Sequence, residues 1–175
     1  MLRSENIFLR ELDMGDLDFI LSIENDSNNW LVSNTSSVYT KKEIEDYILS
    51  INGLKSDKQF RWIICKNEDE SVIGAIDLFE YNSLHKRAGI GIIISEKFRR
   101  QGYALESIKL ISNYAFSHLH LTQLWANILE SNDQSIRLFE KCKFSKTGVK
   151  KKWILHEKQF IDMYFYQLMN KENIS

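Results

Sequence analysis

The apolar positions of this 175-residue chain change period along its length, and the changes mark the elements. "NIFLREL" alternates and predicts a first strand. In "DMGDLDFILSIEN" the spacing lengthens to that of a helix, with Asp13 as its cap and Leu17, Ile20, Leu21 and Glu24 at helical spacing. "DSNNWLVSNTSS" is polar and irregular around Trp30 and reads as a loop. Thr40-Lys41-Lys42-Glu43 fits a capping box, followed by Ile44, Tyr47, Ile48 and Ile51 on one helical face, with Asn52-Gly53 as the stop. "QFRWIICK" and "SVIGAIDLFEY" are strand-like runs joined by the acidic turn "NEDE", a hairpin pattern. "KRAGIGIIIS" follows as the next strand. Ala104, Ile108, Ile111 and Ala115 step by four, three and four, the seam of an amphipathic helix from about 103 to 118. "TQLWANILE" is a further strand. Ser131 to Gln134 suggests a second capping box before a helix carrying Ile136, Phe139 and Cys142. "VKKKWILHE" and "QFIDMYFYQLM" close the chain as two strands around a short turn.

This order predicts an α/β domain with a single mixed, mostly antiparallel sheet flanked by helices. Neither a linker-like segment nor an internal repeat divides residues 1–175, so one domain is expected. Hydrophobic residues at 43% and charged residues at 27% fit a sizeable core under a polar surface. The net charge of −1 argues against a general nucleic-acid binder. Cys65 and Cys142 have no metal or redox spacing and read as reduced thiols. The N-terminus "MLRSENIFLRELD" lacks an apolar signal core, and no run approaches the ~18 apolar residues of a membrane span. A cytoplasmic protein without membrane partners is the expectation.

The stretch richest in chemistry is "FRRQGYALES", residues 98–107. It combines two arginines, a glutamine and a glycine, after the strand "GIGIIIS" and at the start of a helix. A helix N-terminus offers unpaired N–H groups and a partial positive charge, glycine admits a ligand close to the main chain, and arginine suits phosphate. It is neither a Walker loop nor a dinucleotide fingerprint. From these residues alone it is either an anion cradle or a solvated turn.

Arg99-Arg100-Gln101-Gly102-Tyr103-Ala104 resembles the [Q/R]-x-x-G-x-[G/A] signature of the GNAT acetyltransferases. "NDQSIRLFEKCKF" resembles that family's second cofactor-side helix, and "IFLRELDMGDLDFI" its opening strand and helix. Within the superfamily the chain is similar to spermidine acetyltransferases, above all in "EYNSLHKRAGIGIII", and to ribosomal-protein N-terminal acetyltransferases. The resemblance implies the acyl-CoA N-acyltransferase fold, splayed between the fourth and fifth of the strands read above. It implies acetyl-CoA as cosubstrate, with its pantetheine arm along the main chain of Ile92, Ile93 and Ile94. The N–H groups from Arg100 to Ala104 would hold the pyrophosphate, with Arg99 or Arg100 adding charge and Gln101, Gly102 and Tyr103 shaping the turn. Asn132, Ser135 and Phe139 would face the cofactor from the second helix, while Asn132 and Ser135 read equally as helix caps. No metal is implied.

Catalysis departs from the family pattern. Many relatives carry a tyrosine where this chain has Phe139, and several carry a glutamate where it has Gly89. Lys143 replaces the usual glycine before the final phenylalanine of that motif. The remaining candidates are Glu80 and Asp77 in "AIDLFEY", and Asn127 in "WANIL". Strand alternation puts 77 and 80 on opposite faces unless a bulge intervenes. Glu80 is favoured as nearer the strand end where the cleft is expected to open. Glu24 and His85 lie toward the acceptor side by the same resemblance. Trp30, Tyr39 and Trp153 could wall a pocket, with core packing the simpler reading. The expected activity is N-acetylation of a primary amine, a polyamine first. Alternatives are the N-terminal amine of a protein or peptide, or a non-catalytic acyl-CoA-binding regulatory domain. A monomer or homodimer is expected, a larger homo-oligomer being the variant the spermidine relatives suggest.

Overall fold

A computed structural model describes residues 1–26, 37–51 and 59–170, and every structural statement below concerns those residues. The strands are β1 (Leu2–Arg3), β2 (Ile7–Glu11), β3 (Phe60–Lys66), β4 (Val72–Asn82), β5 (Arg87–Ile94), β6 (Gln123–Leu129), β7 (Ser145–His156) and β8 (Gln159–Met169). The helices are α1 (Leu17–Glu24), α2 (Lys41–Ile51), α3 (Tyr103–Ser117) and α4 (Asp133–Lys141). They form one sheet in the order β1-β2-β3-β4-β5-β6-β8-β7. All neighbours are antiparallel except β5 and β6. The predicted architecture is thus present, with the short β1 as an added edge.

Because strand side chains alternate, the sheet buries two separate apolar layers. On one face Ile7, Leu9, Trp62, Ile64, Ile76, Leu78, Ile90 and Ile94 meet Ile108, Ile111 and Ala115 of α3 and Phe139 of α4. On the other, Phe8, Ile63, Cys65 and Ala75 meet Leu17, Ile20 and Ile23 of α1 and Ile44 and Ile48 of α2. This second layer stops at β5. The face of β6 and β8 that continues it carries no described helix.

Local chemistry explains most boundaries. Asp13 caps a short 3-10 turn, Met14–Asp16, in a reciprocal box with Asp16, and α1 begins only after it. Arg10 clamps Asp16 through a two-pronged pair at 2.7 and 2.6 Å. Thr40 and Glu43 form the predicted box, at 2.7 and 3.3 Å. The second box is displaced by one residue: Asn132, not Ser131, caps α4, its Oδ1 accepting from the Ser135 amide at 3.1 Å. The Asn52-Gly53 stop lies outside the described residues, as does Trp30. Both cysteines are free and buried, and burial pushes the Cys142 thiol up to about 11. Tyr39 and Trp153 are exposed, Trp153 by 58%, so neither serves as core packing. No described helix is long and apolar enough to cross a membrane.

Candidate active site

The parallel junction of β5 with β6 is the least closed part of the sheet. Pairing runs through Arg87–Gln123, Ala88–Leu124 and Gly89–Trp125 and then stops. Both strands continue, to Ile94 and to Leu129, without pairing to each other. β5 keeps its ladder with β4 through that stretch, and β6 keeps its ladder with β8. The result is a wedge with its apex at Gly89 and its mouth at Ile94. The β5 main-chain groups facing β6 are therefore without a strand partner past Gly89, at Ile92 and at Ile94, whose carbonyl takes a side-chain donor instead, while Ile93 between them pairs back to β4. Such an edge receives an extended polyamide as it would another strand.

At the mouth, β5 leads through the 3-10 turn Glu96–Phe98 into "RRQGYA" and α3. Arg100 and Gly102 both have positive φ, 63° and 90°. Left-handed residues alternating with right-handed ones turn successive amides toward one point, the geometry of an anion nest. Gly102 is the N-cap of α3 and supplies no capping side chain. The amides from Arg100 to Ala104 find no acceptor among the described residues. A Cβ at Gly102 would meet nothing within 4 Å, so the space before the helix is open. The two arginines separate in role. Both are exposed, but Arg99 is turned back, its Nε donating to the Ile94 carbonyl at 2.9 Å, whereas Arg100 has no such tie among the described residues. Gln101 donates to the Lys97 carbonyl at 3.2 Å and stiffens the turn. Tyr103 and Ala104 pack partly on the core.

Asn132 Oδ1 is engaged by the Ser135 amide, so the capping role is realised. Phe139 is 4% exposed and meets Phe144 edge to face at 5.0 Å. No hydroxyl stands at that position.

On the opposite face the acidic candidates divide. Asp77 is level with Gly91 but on β4, outside the wedge, and both its oxygens accept from Arg61, at 2.6 and 2.9 Å. Arg61 also donates to Glu24 at 2.8 Å. The three side chains are 11%, 16% and 20% exposed in the order Arg61, Asp77, Glu24. Burial acts to lower the Arg61 pKa, but Asp77, Tyr47 and Glu24 overcome it and raise it further. Arg61 lies over the Tyr47 ring at 5.1 Å, and burial pushes that phenol well above its ordinary value. This cluster ties α1, α2, β3 and β4 together. Glu80 sits in a bulge, where the β4–β5 register shifts between Phe79 and Asn82, with φ 48°. The bulge breaks simple alternation, and Glu80 is exposed. It lies by the apex of the wedge, where β5 and β6 are still paired at Gly89. Asn127 lies on β6 two residues past the last rung, exposed and with no side-chain partner among the described residues. His85 is exposed in the β4–β5 turn, its amide donating to Asn82 Oδ1 at 2.8 Å. No described group of His, Cys, Asp and Glu could hold a metal ion.

Sequence reasoning missed two features. One is Arg61, a lone charge in the apolar strand "RWIIC", whose need for a buried partner was a usable signal. The other is a row of aromatic rings, Phe79, Trp125 and Phe165, crossing from β4 to β8. Glycines at 89 and 91, two apart and so on one face of β5, were its signature.

Comparison with known proteins decides the family. The profile of the Acetyltransferase (GNAT) domain matches residues 6–145. The chain belongs to the GNAT acetyltransferase family. An N-acetyltransferase of Bacillus licheniformis named p20 is 26% identical over 172 residues, covering 98% of this chain and 97% of the relative. The spermidine N(1)-acetyltransferase of Vibrio cholerae is 26% identical over 145 residues, covering 83% of this chain and 82% of the relative. Among solved structures, the Vibrio cholerae spermidine N-acetyltransferase in complex with CoA and spermine superposes with a TM-score of 0.87 at 22% identity, covering 97% of this chain and 98% of that one. That likeness shows the shared fold. GNAT enzymes take their acyl group from acetyl-CoA, and the chain is an N-acetyltransferase of this kind.

Proposed function

We propose that this GNAT enzyme acetylates a primary amine on an alkyl chain, with a polyamine as first acceptor. The observation that carries the donor half is the set of unpaired amides from Arg100 to Ala104 at the mouth of a wedge edged by Ile92–Ile94. In this reading the pyrophosphate lies on those amides, beside the exposed Arg100. The pantetheine arm runs back along β5 as an added strand, which brings the thioester toward the apex near Gly91 and Gly89. A β5 amide then stabilises the developing oxyanion. The amine nitrogen attacks the thioester carbon, the C–S bond breaks, and the thiolate leaves. With Phe139 in the tyrosine position, water supplies the thiolate's proton; a thiol pKa near ~8.5 makes that an easy departure. An alkylammonium with a pKa near ~10.4 must first lose a proton. Asp77 is committed to Arg61, which leaves Glu80, beside the apex, as the carboxylate that relays this proton through water. Asn127 lines the acceptor cleft and orients the amine.

The polyamine preference rests on the spermidine N(1)-acetyltransferases of Vibrio cholerae and Escherichia coli, 26% and 25% identical to this chain. The test is direct. Protein and acetyl-CoA are incubated with spermidine, spermine, butylamine, aminoglycosides and N-terminal peptides while thiol release is followed. Turnover restricted to spermidine and spermine supports the reading. Turnover restricted to peptides transfers the assignment to N-terminal amines. CoA binding without turnover on any amine leaves a regulatory acyl-CoA-binding domain.

A further inference from the structure

Gly89 is the last residue of β5 paired to β6, and the Phe79 ring fills the space above it. A Cβ at Gly89 would fall against three carbons of the Phe79 ring, the farthest at 2.9 Å. A Cβ at Gly91 would stand 3.6 Å from the same ring. Phe79 is thus laid across β5 where two glycines leave it bare. On the far side it meets Trp125 edge to face at 5.1 Å, and Trp125 stacks on Phe165 at 5.7 Å. Because Gly89 and Trp125 form the last rung between β5 and β6, this aromatic row crosses the sheet at the apex of the wedge. It lies on the face that no described helix covers past β5, and all three rings are only partly buried.

A second observation indicates what such a row accepts. The ammonium of Lys150 stands 5.0 Å from the Trp153 ring centre and 5.8 Å from that of Phe165. No carboxylate pairs with it among the described residues. The chain therefore already rests one alkylammonium on the end of the row, within the ~6 Å of a cation–π contact. We infer that Phe79, Trp125 and Phe165 form an aromatic wall that takes the acceptor's alkylammonium and the carbon chain behind it, and that Phe79 is the specificity-determining residue of this wall. The ring both excludes a side chain from position 89 and offers its own face at the apex. This rests on the reading of the chain as an acetyl-CoA-dependent amine acetyltransferase. Alkyl amines are then preferred over α-amines flanked by a peptide group, whose first carbon bears a polar amide instead of a hydrocarbon chain.

The full chain is tested in two ways. Thermal melting compares wild type, Gly89→Glu, Phe79→Ala and the double variant. Gly89→Glu is expected to lower Tm by ~5 °C or more, and adding Phe79→Ala to recover most of that loss. A Gly89→Glu protein as stable as wild type overturns the volume exchange. Steady-state kinetics with butylamine, spermidine and glycinamide then read the wall. Phe79→Ala is expected to raise KM for the two alkyl amines ~10-fold, with kcat within ~2-fold and CoA affinity unchanged. Phe79→Leu, which keeps apolar bulk, is expected to recover only part of that loss. Unchanged KM in Phe79→Ala, or full recovery in Phe79→Leu, overturns the cation-binding role. A wild type that binds no CoA overturns the acetyl-transfer reading and the acceptor role together, while the melting series still decides the volume exchange by itself.

Discussion

The two sides of β5 are built from different material. The proposed donor side is main chain: the β5 edge past Gly89 and the amides at the start of α3. The proposed acceptor side is side chain: Phe79 over bare glycines, Trp125, Phe165, and the Arg61 cluster. Backbone groups are common to all residues, so the donor side tolerates any sequence that keeps the turn and the splay. The side-chain wall changes with every substitution. One scaffold can therefore hold one donor while its acceptor preference drifts, and 26% identity to a spermidine enzyme preserves the first more securely than the second.

The strongest way to break this contrast is Gly102→Val. At φ 90° a branched side chain is strained by ~1–2 kcal/mol, yet its Cβ meets no protein atom within 4 Å. Folding should survive while the cradle closes. CoA affinity measured by calorimetry is expected to fall ~100-fold or more. Wild-type affinity in a folded variant would remove the cradle from the donor site.

Next in size is Arg61→Ala, which acts through side chains alone. It leaves Asp77 and Glu24 without the guanidinium that bridges them, a loss of ~3 kcal/mol for a largely buried pair. Denaturant unfolding reads the loss, and CoA affinity of the folded fraction should not move. A CoA affinity that falls in parallel would mean the two sides are coupled.

What was legible beforehand follows the same division. The order of elements was written in local periodicity, and the cradle in a six-residue motif, because both are short-range properties of the chain. The roles of Asp77 and Glu80 were not. Asp77 was assigned without its partner because Arg61 is sixteen residues away and meets it only through the β3–β4 register. The direction in which the wedge opens depends on where β5–β6 pairing ends, which no run of residues announces. The Phe79 ring over Gly89 likewise arises from cross-strand register, ten residues apart in sequence.

A smaller effect separates the two readings of Asn132. Its Oδ1 accepts from the Ser135 amide at 3.1 Å, so Asn132→Ala should cost ~1 kcal/mol of stability through the lost cap. If capping is its whole role, CoA affinity stays within ~2-fold. Asn132→Asp then restores stability, since a carboxylate caps as well. A fall in CoA affinity in the Asp variant, where the cap is intact but negative charge is added, would place residue 132 beside the donor's phosphates.

The smallest expected effect is a pH dependence tied to the first turn of α3. Glu106 accepts from the Asn6 amide at 3.0 Å and from its side chain at 3.3 Å, joining the cradle helix to the start of β2. Burial pushes its carboxyl up, but the hydrogen bonds from Ser4 and Asn6 outweigh that and hold it below its ordinary 4.5. A carboxyl depressed in the folded state favours folding above its unfolded pKa and loses that contribution as pH falls through the folded one. Wild-type stability should therefore decline below pH 4.5 more steeply than that of Glu106→Gln, with the two curves parallel at neutral pH. Since Glu106 follows the cradle amides by two residues, its loosening at low pH should weaken CoA binding before the sheet unfolds. Denaturant melts and CoA titrations across that window measure the two effects, and CoA binding that holds until the whole protein unfolds would show that the first turn needs no tie to β2.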